Sequence, residues 1–285
     1  MRRGPTVLRA RSDRSRAGPG TRDTRAHRRW AILGAMVGAL VALIAFAPAS
    51  WLARAVAAAT DQQVLLVASR GTVWSGEALL VFTGGAGSRD ATVLPSPLHW
   101  RLRPAGWSGV QLELRQDCCL NGTLALRLDP GIGRLGVELP GGRDWLAQWP
   151  SDVLRGLGTP FNTLQLGGSV RLASPGLRME LVQGRWRLLG SASVELLHAS
   201  SRLTTLDTLG SYRLQLQGKP EGGPATLTLQ TLDGALRLSG EGTWSPQGVR
   251  FRGEARAAEA QQPVLNNLLN IIGRRDGDRS VISIG

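Results

Sequence analysis

Lysine is nearly missing from this 285-residue chain, where Lys219 stands alone among 34 basic residues, the rest being arginine. Histidine occurs three times and cysteine twice, a thin supply for metal or acid–base chemistry. His27 lies in the N-terminal tail, His99 on the polar phase of a strand pattern and His198 near a strand end. None has a second histidine or an acid at metal-ligand spacing. There is no G-x-S-x-G, no phosphate-binding loop and no dinucleotide fingerprint. Asp276-Gly277-Asp278 lacks the remaining oxygen ligands of a calcium loop. Glu113, Glu138, Glu180 and Glu195 fall on polar strand phases or at turns, where solvated faces are expected. No catalytic residue, cofactor site or metal site follows from these residues, and an enzyme is not expected.

The two cysteines, Cys118 and Cys119, are adjacent. In an oxidising compartment they can close a vicinal disulfide, pair with another chain or stay free, and sequence leaves all three open. A loop constrained by a Cys118–Cys119 bond is the preferred expectation. A redox catalyst would more often show C-x-x-C.

Charge is unevenly placed. The chain carries +13, and residues 1–29 hold ten arginines against Asp13 and Asp23, a net +8 that leaves +5 for the remainder. A nucleic-acid footprint would be a basic face on a folded domain beside a readout motif, and no such motif is present. The basic tail instead reads as a topology signal that also touches anionic lipid, and no nucleic-acid partner is expected.

Residues 30–53 carry no charge, long enough as a helix to cross a hydrocarbon core of about 30 Å. Trp30 and Trp51 stand near the two ends as candidate interface anchors. The arginines before the run hold that side in the cytoplasm, so the chain after it is exported, to the periplasm in a Gram-negative bacterium. Ala45-Phe46-Ala47 has the small-x-small form of a signal-peptide cleavage site, but Pro48 would hinder cleavage and the basic lead is long. Gly34 and Gly38 form a G-x-x-x-G pair, which an alanine- and glycine-rich helix also gives by chance. Three regions are thus expected: a basic cytoplasmic tail over 1–29, an anchor helix over 30–53 and a β-rich periplasmic domain over 54–285.

That domain shows short alternating segments divided by turn residues, the pattern of half-buried antiparallel strands. Leu98, Trp100 and Leu102 alternate with polar residues, as do Val110, Leu112 and Leu114, then Leu124, Leu126 and Leu128, then Leu164, Leu166, Val170 and Leu172. Asp233-Gly234 is a two-residue hairpin signal. It predicts Leu229 opposite Leu238 and Leu227 opposite Gly240. The turn Ser245-Pro246-Gln247-Gly248 predicts Trp244 opposite Val249 and Gly242 opposite Phe251. Across the loop before residue 225, Leu216 should meet Leu227 and Leu214 should meet Leu229. One face then stays apolar over four strands, and a slip of one residue would turn it into water. A helical turn or two is expected over 151–156. A short C-terminal helix should begin at Pro263, with Leu265, Leu268, Leu269 and Ile272 at helical spacing and Gly273 as its stop. Residues 274–279 read as polar, and 280–284 as a last strand. The fold class is mainly β: an N-terminal transmembrane helix, then a curved, mostly antiparallel sheet with a short C-terminal helix.

Several ordered motifs resemble the type II secretion system protein N family. They are Gly71-Thr72-Val73-Trp74-Ser75-Gly76, Pro97-Leu98-His99-Trp100-Arg101-Leu102 and Gly156-Leu157-Gly158-Thr159-Pro160-Phe161-Asn162-Thr163-Leu164. Gly210-Ser211-Tyr212-Arg213-Leu214, Gly234-Ala235-Leu236, Gly240-Glu241-Gly242-Thr243-Trp244 and Leu268-Leu269-Asn270-Ile271-Ile272-Gly273-Arg274-Arg275 follow. The long basic tail departs from the short cytoplasmic segment of that family. The resemblance implies an accessory part of an inner-membrane platform that helps move folded proteins from the periplasm across the outer membrane. It implies contact with other platform subunits and lends no catalytic residue or cofactor. Asn267, Asn270, Arg274 and Arg275, at an exposed helix end, are the candidate contact residues, set against a helix that merely caps the sheet.

A reading from a different class is lipid handling. An anchored, glycine-rich sheet with one apolar face resembles the AsmA-like proteins, which build open lipid grooves. The two separate on whether helices or a second sheet cover that face.

Overall fold

The computed structural model describes residues 23–106, 109–141, 144–158, 161–245 and 247–285. Most of the basic tail, Pro246 of the second turn, and Thr159 and Pro160 of the third motif lie outside the described residues. The chain divides into two units, residues 1–46 and 47–285.

The first unit holds α1 (Asp23–Ala45). Trp30, Met36, Leu40 and Val41 on it are 73%, 67%, 57% and 60% exposed, so this helix buries no apolar face within its own unit. Among the described residues no helix is long and apolar enough to cross a membrane. The uncharged run, expected as one helix over 30–53, is divided. α1 stops at Ala45 and α2 (Ala49–Ala59) begins after Pro48, which has extended backbone at φ −70° and ψ 147°. Proline has no N–H to donate and disfavours helix in the residue before it, which accounts for the break. Ala47 and Pro48 are held by the second unit instead. The Ala47 carbonyl accepts from the Val73 N–H at 2.9 Å, and Pro48 bridges Thr72. Trp51 therefore sits on α2, 44% exposed, rather than at the end of α1.

The second unit is one sheet. Its first strands are β1 (Val64–Gly71), β2 (Ser75–Thr83), β3 (Ala91–Val93), β4 (Leu98–Ala105), β5 (Gly109–Arg115), β6 (Leu124–Gly131), β7 (Arg134–Leu139) and β8 (Ala147–Pro150). After a 3-10 helix over Ser151–Leu157 and α3 (Phe161–Leu164) come β9 (Leu166–Val182), β10 (Arg185–Ser201), β11 (Gly210–Gln217), β12 (Ala225–Gly234), β13 (Leu236–Ser245) and β14 (Gly248–Ala257). α4 (Gln262–Ile272), β15 (Arg274–Asp276) and β16 (Arg279–Ile284) close the chain. The strands follow chain order across an open sheet, with β3 beside β2, β8 beside β9 and β16 between β14 and β15. Every pairing is antiparallel, as short connections require.

Registers at β11–β12 and β13–β14 agree with the alternation: Leu214 meets Leu229, Leu216 meets Leu227, Trp244 meets Val249 and Gly242 meets Phe251. At β12–β13 the expected tight turn is absent. Leu229 faces Gly240 and Leu227 faces Gly242, two residues from the expected partners. Gly234 is taken by Gly210 of β11, and the Leu236 N–H by the Leu209 carbonyl at 3.0 Å, so Asp233-Gly234 cannot close a two-residue loop. The Thr231 hydroxyl bridges the wider loop, donating to the Leu238 carbonyl at 2.8 Å and accepting from its N–H at 2.6 Å. A shift of two keeps side chains on their face, so the apolar phase survives. The polar segment expected over 274–279 contains the short strand β15, and Leu164 lies in α3 rather than on a strand.

Two helices cover parts of the apolar face. Ala49 of α2 packs with Ala78 and Trp100, joined by Leu52, Leu66, Leu102, Leu112 and Leu114. Leu265, Leu268 and Leu269 of α4, each 0–1% exposed, pack with Ala199, Leu209, Tyr212, Leu236 and Ala255. Tyr212 is the chain's one tyrosine. Its hydroxyl donates to the Leu236 carbonyl at 3.0 Å. Burial, then the Asp233 charge, raises its pKa above the ordinary 10.0. The fold thus favours the neutral phenol. That stability is fully present below the unfolded pKa of about 10 and is lost as pH rises above it. The near-ultraviolet phenolate absorbance should therefore stay silent until the chain unfolds in alkali; a reversible titration at the ordinary tyrosine pKa would contradict this burial. Tyr212→Phe should cost about 1 kcal/mol in urea unfolding and remove the alkaline sensitivity.

Candidate functional site

Among the described residues no group of three or more His, Cys, Asp or Glu could hold a metal ion. The features with functional potential are surfaces. Each strand turns its polar phase to one side of the sheet, where charges pair across strands. Arg103 meets Glu113 at 3.4 Å, Arg178 meets Glu138 at 3.8 Å, and Glu77 lies 3.5 Å from His99. Exposed pairs of this kind contribute about 0–1 kcal/mol each.

Glu195 is the exception. Expected on a solvated face, it is only 9% exposed. Its register partners are Arg171 on β9 and Arg213 on β11, whose guanidinium groups approach its carboxylate to 4.0 and 2.8 Å. One buried carboxylate between two arginines needs both for compensation. Its signal in the sequence is nonlocal, since the three residues lie on three strands.

The opposite side carries the apolar phase, and part of it stays uncovered. Leu135, Val194, Leu214 and Val249 on β7, β10, β11 and β14 stay 37–41% exposed, and Ile284 on β16 is 54% exposed. A concavity of about 310 Å³ opens beside this stretch, lined by Met179, Trp186, Leu188, Pro224 and Trp244 among others. Trp186 and Trp244 both stand close to hairpin turns. Alternation gives their phase, but their meeting depends on how the loop before β12 folds.

The four candidate contact residues do not act as one group. Asn267, Asn270 and Arg274 are exposed on or just beyond the outer face of α4, beside Val264 and Ile271 at 39% and 40% exposure. Arg275 is turned inward: its Nη2 donates to the Asn266 Oδ1 at 3.0 Å, and its Nη1 is buried without a hydrogen-bond partner among the described residues. Asn266, absent from the expected set, is what engages that arginine.

Cys118 and Cys119 are bonded to each other in the loop between β5 and β6. Cys118 is exposed and Cys119 is 3% exposed. The loop is held from both sides: the Gln116 side chain donates to the Ser96 carbonyl at 2.9 Å, and the Gln148 N–H donates to the Cys119 carbonyl at 2.8 Å.

A family model described as "Type II secretion system (T2SS), protein N" matches residues 62–282. No curated protein and no solved structure matches the chain.

The vicinal bond has a direct check. Alkylation of the unfolded, unreduced chain should add no label to Cys118 or Cys119, and prior reduction should add two; two labels without reductant would show that the bond is absent in the isolated protein.

Proposed function

The chain belongs to the type II secretion system protein N family, and from that membership we propose that it is an accessory component of the secretion platform, assisting export of folded proteins from the periplasm across the outer membrane. The observation that carries this reading is the extent of the match, which runs from the segment before β1 to β16 and so takes in the whole sheet. In this reading α1 anchors the chain in the inner membrane by a single pass, with the N-terminus cytoplasmic and the sheet in the periplasm. The arginines before Trp30, the uncharged stretch from Trp30 to Ala45 and the exposed apolar surface of α1 support that topology.

Contact with other platform subunits is assigned to the outer face of α4, through Asn267, Asn270 and Arg274, with Arg275 setting the angle of the helix end. Deleting the gene should reduce export of secreted hydrolases, and unchanged export would count heavily against the proposal. Arg274→Glu should leave thermal unfolding unaltered yet weaken co-purification with platform subunits roughly tenfold, the factor given by loss of about 1.4 kcal/mol.

A second reading is favoured by the uncovered part of the apolar face. Soluble monomers rarely leave large contiguous apolar patches in water. Lipid lying along the sheet would cover this one. Mass spectrometry of the purified chain should then find co-purifying lipid, reduced by Leu214→Glu; lipid-free protein would remove this reading and leave the first intact.

A further inference from the structure

Four successive turns lie at one end of the sheet: those joining β6 to β7, β9 to β10, β11 to β12 and β13 to β14. They are contiguous. The Gln183 N–H donates to the Gly133 carbonyl at 3.0 Å, a Cβ on Gly222 would stand 3.3 Å from the Arg187 side chain, and Trp186, Pro224 and Trp244 line one concavity.

This rim combines exposed apolar residues with cations that have no carboxylate partner among the described residues. Ile132, at the tip of the β6–β7 turn, is 107% exposed, and Val182 beside the next turn is 41% exposed. Around them Arg134, Arg185, Arg187 and Lys219 are exposed, and none makes an ion pair among the described residues. Elsewhere on the polar face Arg171, Arg178 and Arg213 each meet a carboxylate. The acids nearest the rim are Asp129, Glu221 and Glu180, and Glu180 is already engaged by Arg178 at 2.7 Å. The chain also enters the sheet at this end. Ala47 and Pro48 join the turn between β1 and β2, on the same side as the β4–β5 turn.

We infer that the rim is a docking surface for an anionic bilayer, with Ile132 inserted past the head groups and the four cations lying among them. The inference rests on the anchoring reading given above, which brings the entry point of the sheet to the membrane. Cations beside an anionic leaflet attract lipid, and tryptophan favours the headgroup region. A lone apolar tip on a hairpin inserts into a fluid layer more readily than it matches a rigid protein surface. The Trp186–Trp244 concavity then opens toward the lipid, where one acyl chain can enter it.

The test uses the full chain in nanodiscs of phosphatidylcholine with and without phosphatidylglycerol. An environment-sensitive fluorophore is attached at Ile132→Cys, at Met36→Cys in α1, or at Asp278→Cys at the opposite end of the sheet. Labelling is done without reductant, so that Cys118 and Cys119 stay bonded. Lipid-borne quencher should reach position 132 in the anionic discs and leave position 278 unaffected. Arg134→Gln and Arg185→Gln should each lower the docked-to-undocked ratio about fivefold, as loss of about 1 kcal/mol per cation requires. Quenching at 36 with none at 132 overturns the docking surface while leaving the anchor standing, and is also the result expected if the rim binds an acidic protein. Absence of quenching at 36 defeats the anchoring reading by itself; anionic vesicles added to that protein must still bring quenching at 132, or docking fails too.

Discussion

Period-two alternation in a single-layer sheet is the constraint from which the rest of this structure follows. The backbone of each interior strand is satisfied by its two neighbours, so the ladder makes no demand for a second layer. The side chains do. One phase of nearly every strand is apolar, and full burial of a leucine or valine is worth about 1.5–3 kcal/mol over exposure. A single sheet cannot supply that burial alone, so helices must bring cover. α4 does so with three leucines that are almost inaccessible to water, and α2 does so with Ala49 and Leu52. The 3-10 helix over Ser151–Leu157 adds Val153, 8% exposed, and glycine is part of how the remaining apolar phase manages. The Phe251 ring lies over Gly240 and Gly253, where a Cβ would collide with it, and the ring is 8% exposed.

The polar phase has a different part in this arrangement. Most of its ion pairs are half-exposed and add little stability singly. Their value lies in register. Because like charges opposite one another are unfavourable and opposite charges favourable, a slip by one residue would both bury the charges and strip the apolar face of its partners. Glu195 is the sharpest case. A strand slip would leave it without Arg171 or Arg213, at a site already closed to solvent.

These physical roles explain which features the sequence revealed. Alternation and turn residues are local, so the strands, the apolar phase and α4 with Pro263 at its start could be read directly. Partner choice is not local. Asp233-Gly234 carries the chemistry of a tight turn, yet Gly210 on another strand claims Gly234 and widens the loop. Pro48 is visible in the sequence, but that it ends one helix and starts another inside the sheet unit depends on Thr72 and Val73. The inward turn of Arg275 depends on Asn266 nine residues earlier, and the meeting of Trp186 with Trp244 on the intervening loop. In each case the residue type was legible and its neighbour was not.

The boundary of the family match and the boundary of the folded unit also differ, for a physical reason. The match begins at residue 62, whereas packing places the unit's start at Ala47. The segment between them is α2, an alanine-rich helix whose demand on sequence is weak: small residues on one face suffice to approach Trp100 and Ala78. The structure, by contrast, makes firm use of the residues just before it. Ala47, Pro48 and Ala49 are 2–7% exposed or bridged to the β1–β2 turn, which fixes where the chain enters the sheet. The second unit therefore begins with backbone already committed to the Thr72–Val73 turn.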